Sequence, residues 1–160
     1  NCISIKQGKL PGFNTDWVGF EHSLQPLLQK HHTHALVLGN GGASKAVLYV
    51  LQKMGIQYEV VGRRLQPEVT TTYDQLDAAA VARHPLIINT TPLGTFPNVD
   101  QCPPIPYEGV TPFHLLYDLV YNPTHTAFLQ QGALRGATVK NGYDMLIGQA
   151  ECAWQIWNNP

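Results

Sequence analysis

Two hydrophobic rhythms take turns along the chain: short unbroken apolar runs, and longer stretches with an apolar residue every third or fourth position. Ala35-Leu36-Val37-Leu38 is the first full run, short for a helix and polar on neither face, as a strand covered on both sides requires. A glycine cluster, Gly39-Asn40-Gly41-Gly42, turns the chain. From Ala43 the spacing is helical, with Val47, Leu48 and Leu51 on one side, until Met54-Gly55-Ile56. Gln57 to Gly62 predicts a second strand and completes a β-α-β unit. Residues 65–85 predict one short helix holding Tyr73, Leu76 and the run Ala78 to Ala82, stopped by Pro85. Leu86 to Asn89 predicts a third strand, and a proline-rich loop from Phe96 to Pro112 leads to a fourth at Leu115 to Tyr121. Asn122-Pro123-Thr124 predicts the start of a helix that turns Phe128 and Leu129 inward. Ala137 to Asn141 predicts a fifth strand. Tyr143 to Trp157 predicts a closing helix with Leu146, Ala150, Ala153, Trp154 and Trp157 on its apolar face.

Before the first full strand, residues 3–13 read as a strand end or hairpin, with Gly8, Pro11 and Gly12 as turn residues. Asn14-Thr15-Asp16 stand where helix caps belong, ahead of Trp17, Val18, Phe20, Leu24, Leu27 and Leu28, whose spacing predicts a helix to about Gln29. Strands alternating with helices at this pitch predict an α/β fold, a Rossmann-like doubly wound parallel sheet in three layers, α/β/α. The expected organisation is a short segment, 1–15, a dinucleotide-binding body, 16–141, and a closing helix, 142–160.

Composition narrows the function without choosing it. The 160 residues suffice for one domain, and 44% hydrophobic residues is ordinary for a folded protein. Ten Lys and Arg against eleven Asp and Glu give no electrostatic case for nucleic acid or an anionic membrane, and no apolar run is long enough to span a bilayer. Three scattered cysteines, Cys2, Cys102 and Cys152, point to reduced thiols and a cytoplasmic location rather than a disulfide framework or a zinc site. The histidines at 31, 32 and 34 read as solvated linker residues, and no metal site is expected.

The chemistry sits after the first full strand. In Gly39-x-Gly41-x-x-Ser44 the small Ser44 stands where a third glycine is usual, in front of a helix whose N-terminal amides and dipole favour an anion. The pattern reads as a pyrophosphate cradle or as a bare glycine-rich turn. At the end of the second strand, where an NAD-selective unit carries an acidic residue, stand Arg63 and Arg64. Paired guanidinium groups there suit a 2′-phosphate, and so NADP; the other reading is two solvated arginines. Thr90-Thr91-Pro92-Leu93-Gly94 forms a polar turn after the third strand, and Asp16 reads either as a helix cap or as a catalytic carboxylate.

Six stretches then line up with one arrangement: Asn14-Thr15-Asp16, Gly39-x-Gly41-Gly42-Ala43, Arg63, Asn89-Thr90-Thr91-Pro92-Leu93-Gly94, Asp118-Leu119-Val120-Tyr121-Asn122-Pro123, and Asn141-Gly142-x-x-Met145-Leu146-x-x-Gln149-Ala150. In this order, over almost the whole chain, they resemble shikimate dehydrogenases. The resemblance implies NADP-dependent interconversion of 3-dehydroshikimate and shikimate, a step toward aromatic amino acids. It implies that Asp16 belongs to a Lys–Asp pair beside the reacting hydroxyl and that Tyr121 and Gln149 reach the substrate. Gly39, Asn40, Gly41, Gly42, Ala43, Gly62, Arg63, Arg64, Thr90, Leu119 and Gly142 would lie along the cofactor.

Two departures qualify the match. Gly62-Arg63-Arg64 stands where Asn-Arg-Thr is common, which leaves the choice of cofactor open, and the N-terminal substrate domain of such enzymes, with the catalytic Lys, has no counterpart here. The expectation is a chain that binds NADP but does not turn over shikimate alone. Met145, Ile147 and Ile156 would then lack cover, with self-association as a homodimer one way to hide them, while Trp17, Trp154 and Trp157 read as mutual core packing. Two alternatives stay open: a quinate/shikimate dehydrogenase domain using NAD, and a non-catalytic dinucleotide-binding module.

Overall fold

The protein is described by a computed structural model that covers residues 1–5 and 8–158. Residues 6 and 7 of the stretch expected to form a hairpin, and 159–160 of the closing segment, lie outside the described residues. β1 (Cys2–Ile3) pairs antiparallel with β2 (Gly12–Phe13). Helix α1 (Asp16–Leu24) follows and tightens into a single 3-10 turn over Gln25–Leu27, close to its predicted end. Then come β3 (His34–Leu38), α2 (Gly42–Lys53), β4 (Gln57–Gly62), β5 (Thr71–Thr72), α3 (Ala78–Ala82), β6 (Leu86–Asn89), β7 (Leu115–Asp118), α4 (Ala127–Ala133), β8 (Thr138–Lys140) and α5 (Tyr143–Asn158). No helix among the described residues is long and apolar enough to cross a membrane.

Six strands form one parallel sheet in the order β5-β4-β3-β6-β7-β8. The strand pattern explains why both faces are covered: successive side chains point to opposite sides, and in β3 and β6 both sets are apolar. Ala35, Val37, Leu86, Ile88, Leu115 and Tyr117 pack on one face with Phe20, Leu24, Val47, Val50 and Leu51. Leu36, Leu38, Ile87 and Leu116 pack on the other with Val81, Phe128 and Leu129. The sheet is doubly wound, with helices in a layer on each side.

Several local expectations are overturned by tertiary contacts. Residues 65–85 are not one helix: they hold strand β5, a 3-10 turn at Tyr73–Gln75 and the five-residue α3, so Tyr73 and Leu76 stand outside the helix. α4 does not begin at Asn122-Pro123-Thr124 but at Ala127, because Thr126 is the cap: its hydroxyl accepts from the Leu129 amide (3.3 Å). β7 ends at Asp118 rather than Tyr121. His32 is buried rather than solvated; its Nδ1 accepts the Gln29 amide (2.9 Å), and burial, then the neighbouring His31, lowers its pKa. The inward face of α5 carries Met145 and Ala153, so Met145 is covered, whereas Trp154 and Trp157 are exposed and do not form a core with Trp17. The Trp157 indole N–H instead donates to the Ile3 carbonyl (2.9 Å), and Trp17 packs edge-on against Tyr49 with the Lys53 ammonium over its ring.

α1 and α5 lie against each other through two glycines. An ideal Cβ on Gly19 would run into the Met145 carbonyl and stand 2.7 Å from the Gln149 amide nitrogen, and one on Gly148 would stand 3.0 Å from the Gly19 Cα. Backbone therefore meets backbone, which carries Gln149 to the start of α1. Gly19→Ala should cost about 1–3 kcal/mol, because the overpacking outweighs the helix propensity gained. Gly12→Ala, where an added Cβ meets nothing within 4 Å, should stay within about 0.5 kcal/mol. Urea midpoints of the two variants test this, and equal midpoints would contradict the close crossing.

Candidate functional site

In this sheet the strand order reverses between β3 and β6, whose following segments leave in opposite directions, and a crevice opens at their carboxyl ends. Part of the crevice wall is glycine backbone. Gly39 leaves β3 at φ +102°, and an ideal Cβ there would stand 2.9 Å from both Thr90 Oγ1 and Thr91 Cγ2, so only glycine fits. Its amide donates to the Val61 carbonyl (2.8 Å), and the Thr90 hydroxyl donates to the Leu38 carbonyl (2.8 Å), tying the ends of β4, β3 and β6 together. The chain reaches α2 through Gly41 in an extended conformation, and no side chain caps the helix. Added Cβ atoms at Gly41 and Gly42 would meet nothing within 4 Å, so the uncapped start of α2 borders open space. Such an end suits an anion.

Two adjoining hollows run along this edge. One, about 310 Å³, is lined by Gly39, Asn40, Gly62, Arg63, Tyr73 and Leu93 together with Gly41 and Thr90 to Pro92. The other, about 420 Å³, shares Gly41 and Thr90 to Pro92 and continues over Gly42, Ala43, Leu119, Val120 and Tyr121. The pair makes an elongated trough with a guanidinium at one end, a phenol at the other and uncapped amides between them. A separate hollow of about 350 Å³, between α1 and α5, is lined by His22, Ser23, Lys140, Asp144 and Glu151 among others, and shares no residue with the trough.

Beneath the trough lies a fully buried carboxylate. Asp118 Oδ1 accepts from Asn89 Nδ2 (2.9 Å) and from the Val120 amide (3.0 Å), while Oδ2 accepts from the Thr126 hydroxyl (2.5 Å). Asn89 Oδ1 in turn accepts from the Thr91 amide (3.0 Å) and hydroxyl (2.6 Å). Burial pushes the Asp118 pKa up to about 6 against the pull of its three donors.

The expected site residues divide into groups. Gly39, Asn40, Gly41, Gly42, Ala43, Gly62, Arg63, Thr90, Leu119 and Tyr121 line the trough. Arg64 is exposed and does not line it. Gly142 supports it from behind, since any side chain there would collide with the Leu119 carbonyl. Asp16 and Gln149 form a second group beside α1. Asp16 is the first residue of α1 rather than its cap, and its Oδ1 accepts from Asn1 Nδ2 (2.6 Å), while the Thr15 hydroxyl lies 3.4 Å from Gln149 Oε1. Tyr73, Asp118 and Asn89 were not among the residues expected to build the site. Tyr73 could have been found from Thr72-x-x-Gln75, the capping box that holds its turn, whereas Asn89 and Asp118 open two of the stretches that carry the resemblance but have no role assigned by it.

No protein-family model matches the chain. It is 36% identical to the shikimate dehydrogenase (NADP(+)) of Caldicellulosiruptor bescii, over 98% of this chain and 59% of that protein. Among solved structures, the chorismate mutase/shikimate 5-dehydrogenase fusion protein from Clostridium acetobutylicum superposes with a TM-score of 0.83 at 32% identity, over 98% of this chain and 58% of that one. Shikimate 5-dehydrogenase from Thermus thermophilus, solved in complex with NADP(H) and shikimate, gives a TM-score of 0.82 at 29% identity, over 97% of this chain and 60% of that one. The chain thus spans about three-fifths of the length of the relatives it matches.

The raised pKa of Asp118 makes a prediction about stability. Its folded-state value lies above the ordinary 3.8, so folding takes up a proton between pH 4 and 6; this contribution is fully present below about pH 4 and lost as pH rises through 6. Asp118→Asn, whose amide stays neutral, should therefore gain on the unaltered chain by on the order of 2–3 kcal/mol between pH 4 and pH 7. Urea unfolding of both chains at the two pH values measures the gap, and a pH-independent gap would contradict the assignment.

Proposed function

We propose, from these likenesses, that the chain is a member of the shikimate dehydrogenase family, that it binds NADP(H) along the trough, and that it forms the cofactor side of a site that interconverts 3-dehydroshikimate and shikimate. The observation that carries this reading is the continuity of the two hollows across the strand-order reversal, through Gly41 and Thr90 to Pro92, with Arg63 at one end and Tyr121 at the other. NADP(H), when bound, supplies the hydride chemistry. The first-turn amides of α2 would hold its pyrophosphate and the Arg63 guanidinium would take the 2′-phosphate in a charge-assisted pair, with Arg64, outside the trough, adding positive charge to that end. Leu119, Val120 and Tyr121, which line the other end of the trough, would wall the nicotinamide.

Tyr121 and Gln149 are assigned to the substrate, and Asp16 to a proton-transfer pair with a lysine. Asp16 and Gln149 stand on a half-exposed face beside α1; the opposite wall of the substrate site is assigned to the part of the family's longer chains that this sequence does not span, and orientation between two walls is worth several orders of magnitude in rate. On this reading residues 16–141 are the cofactor-binding body, while 1–15 and α5 face the substrate-bearing part of the family's longer chains. Exposed Ile3, Ile5, Leu10, Phe13, Trp154 and Trp157 mark the surface that such a part, or a second copy in a homodimer, would cover. The unpaired thiols of Cys2, Cys102 and Cys152 suit a cytoplasmic setting.

Calorimetric titration tests the cofactor half. The chain should bind NADPH more tightly than NADH, and Arg63→Ala should weaken NADPH about tenfold or more while leaving NADH unchanged. Equal affinity for the two cofactors would overturn the assignment of Arg63. In an absorbance assay for NADPH formation, the chain alone should show no shikimate oxidation; turnover by the purified chain would refute the claim that it supplies only one side of the site.

A further inference from the structure

The trough is bounded by two loops that follow different strands, Thr90 to Leu93 after β6 and Leu119 to Asn122 after β7. Backbone pairing joins them at their roots, through the Leu119 amide on the Asn89 carbonyl (3.0 Å). Among the described residues, the side-chain hydrogen bonds that link the two loops all pass through Asp118. It holds the second loop directly by the Val120 amide and the first through Asn89, whose side-chain Oδ1 takes both the amide and the hydroxyl of Thr91. Its other oxygen takes the Thr126 hydroxyl and so fixes the start of α4. An aspartate with no access to solvent is costly to bury, and a carboxylate is the one side chain here that offers acceptors to three converging donors at once.

We propose that Asp118 is a positioning residue for cofactor binding: with Asn89 as its relay, it sets the separation of the two loops between which the cofactor lies. It touches neither cofactor nor substrate and acts through Thr91 and Val120. This inference rests on the reading of the trough as the NADP(H) site, so its test carries one measurement that needs no cofactor.

Asp118→Ala removes the hub, and Asn89→Ala cuts the relay while leaving Asp118 two of its donors. Leu116→Val, a core truncation on the same strand, controls for lost stability. In amide hydrogen exchange on the ligand-free chain, Thr91 and Val120 should exchange about tenfold or more faster in Asp118→Ala relative to the β3 and β6 amides of Val37 and Ile88. In Asn89→Ala only Thr91 should do so, and in Leu116→Val neither. NADPH affinity should fall about tenfold in the first two variants and stay unchanged in the third. If Asp118→Ala does not fold, Asn89→Ala decides alone. Protection at Thr91 and Val120 that falls only in step with the core overturns the proposal, and so does loosening of Thr91 with no loss of NADPH affinity. Failure of the unaltered chain to bind NADPH instead refutes the cofactor reading, and the exchange pattern still tests the hub.

Discussion

The structure depends on the contact between the ends of β3 and β6. Strands on either side of that pair are wound in opposite senses, so the segments leaving the two ends diverge, and the space between them stays open unless side chains fill it. They do not fill it here. Gly39 turns through positive φ against Thr90 and Thr91 with no room for a Cβ, and Gly41 and Gly42 offer only backbone to the opening. A larger residue at Gly39 would push β6 from β3; one at Gly41 would occupy the space where an anion meets the helix. The same few residues thus close the sheet and leave the trough open.

Two further constraints act at a distance from that contact. The glycine crossing of α1 and α5 brings Gln149 beside Thr15 and Asp16, joining residues far apart in sequence into one polar patch. The buried Asp118 hub sets the loops on the other side. One uses the absence of side chains and the other a charge kept from water, and each costs stability or folding freedom that packing elsewhere must offset. Both lie around the same edge of the sheet, where the reading of function places the chemistry.

The main strands and the trough were legible in the sequence because their signals are local. β4 and β6 fall where their apolar runs lie, and the glycine cluster, Arg63 and Thr90 line the trough. What was not legible is set by contacts between distant segments. β5 is two threonines in a polar stretch and becomes a strand only by pairing with Val61 and Gly62. Pro123 carries the usual mark of a helix start, yet Thr126 makes the cap because its hydroxyl is held by Asp118. The inward side of α5 follows from the crossing at Gly19 and Gly148, which puts Met145 rather than the tryptophans toward the core. His32 looks like a linker residue in sequence and is buried, next to a His31 whose Nε2 meets the Phe113 carbonyl (2.9 Å) far along the chain.

The most direct test of the account is a map of backbone amide chemical shifts as NADPH is added to the 15N-labelled chain. Perturbations are predicted at Gly41 to Ala43, at Arg63 and at Thr90 to Leu93 and Leu119 to Tyr121, with the N-terminal ends of the strands unmoved. Perturbations centred instead on the hollow lined by His22, Lys140 and Asp144, or none at all, would contradict it.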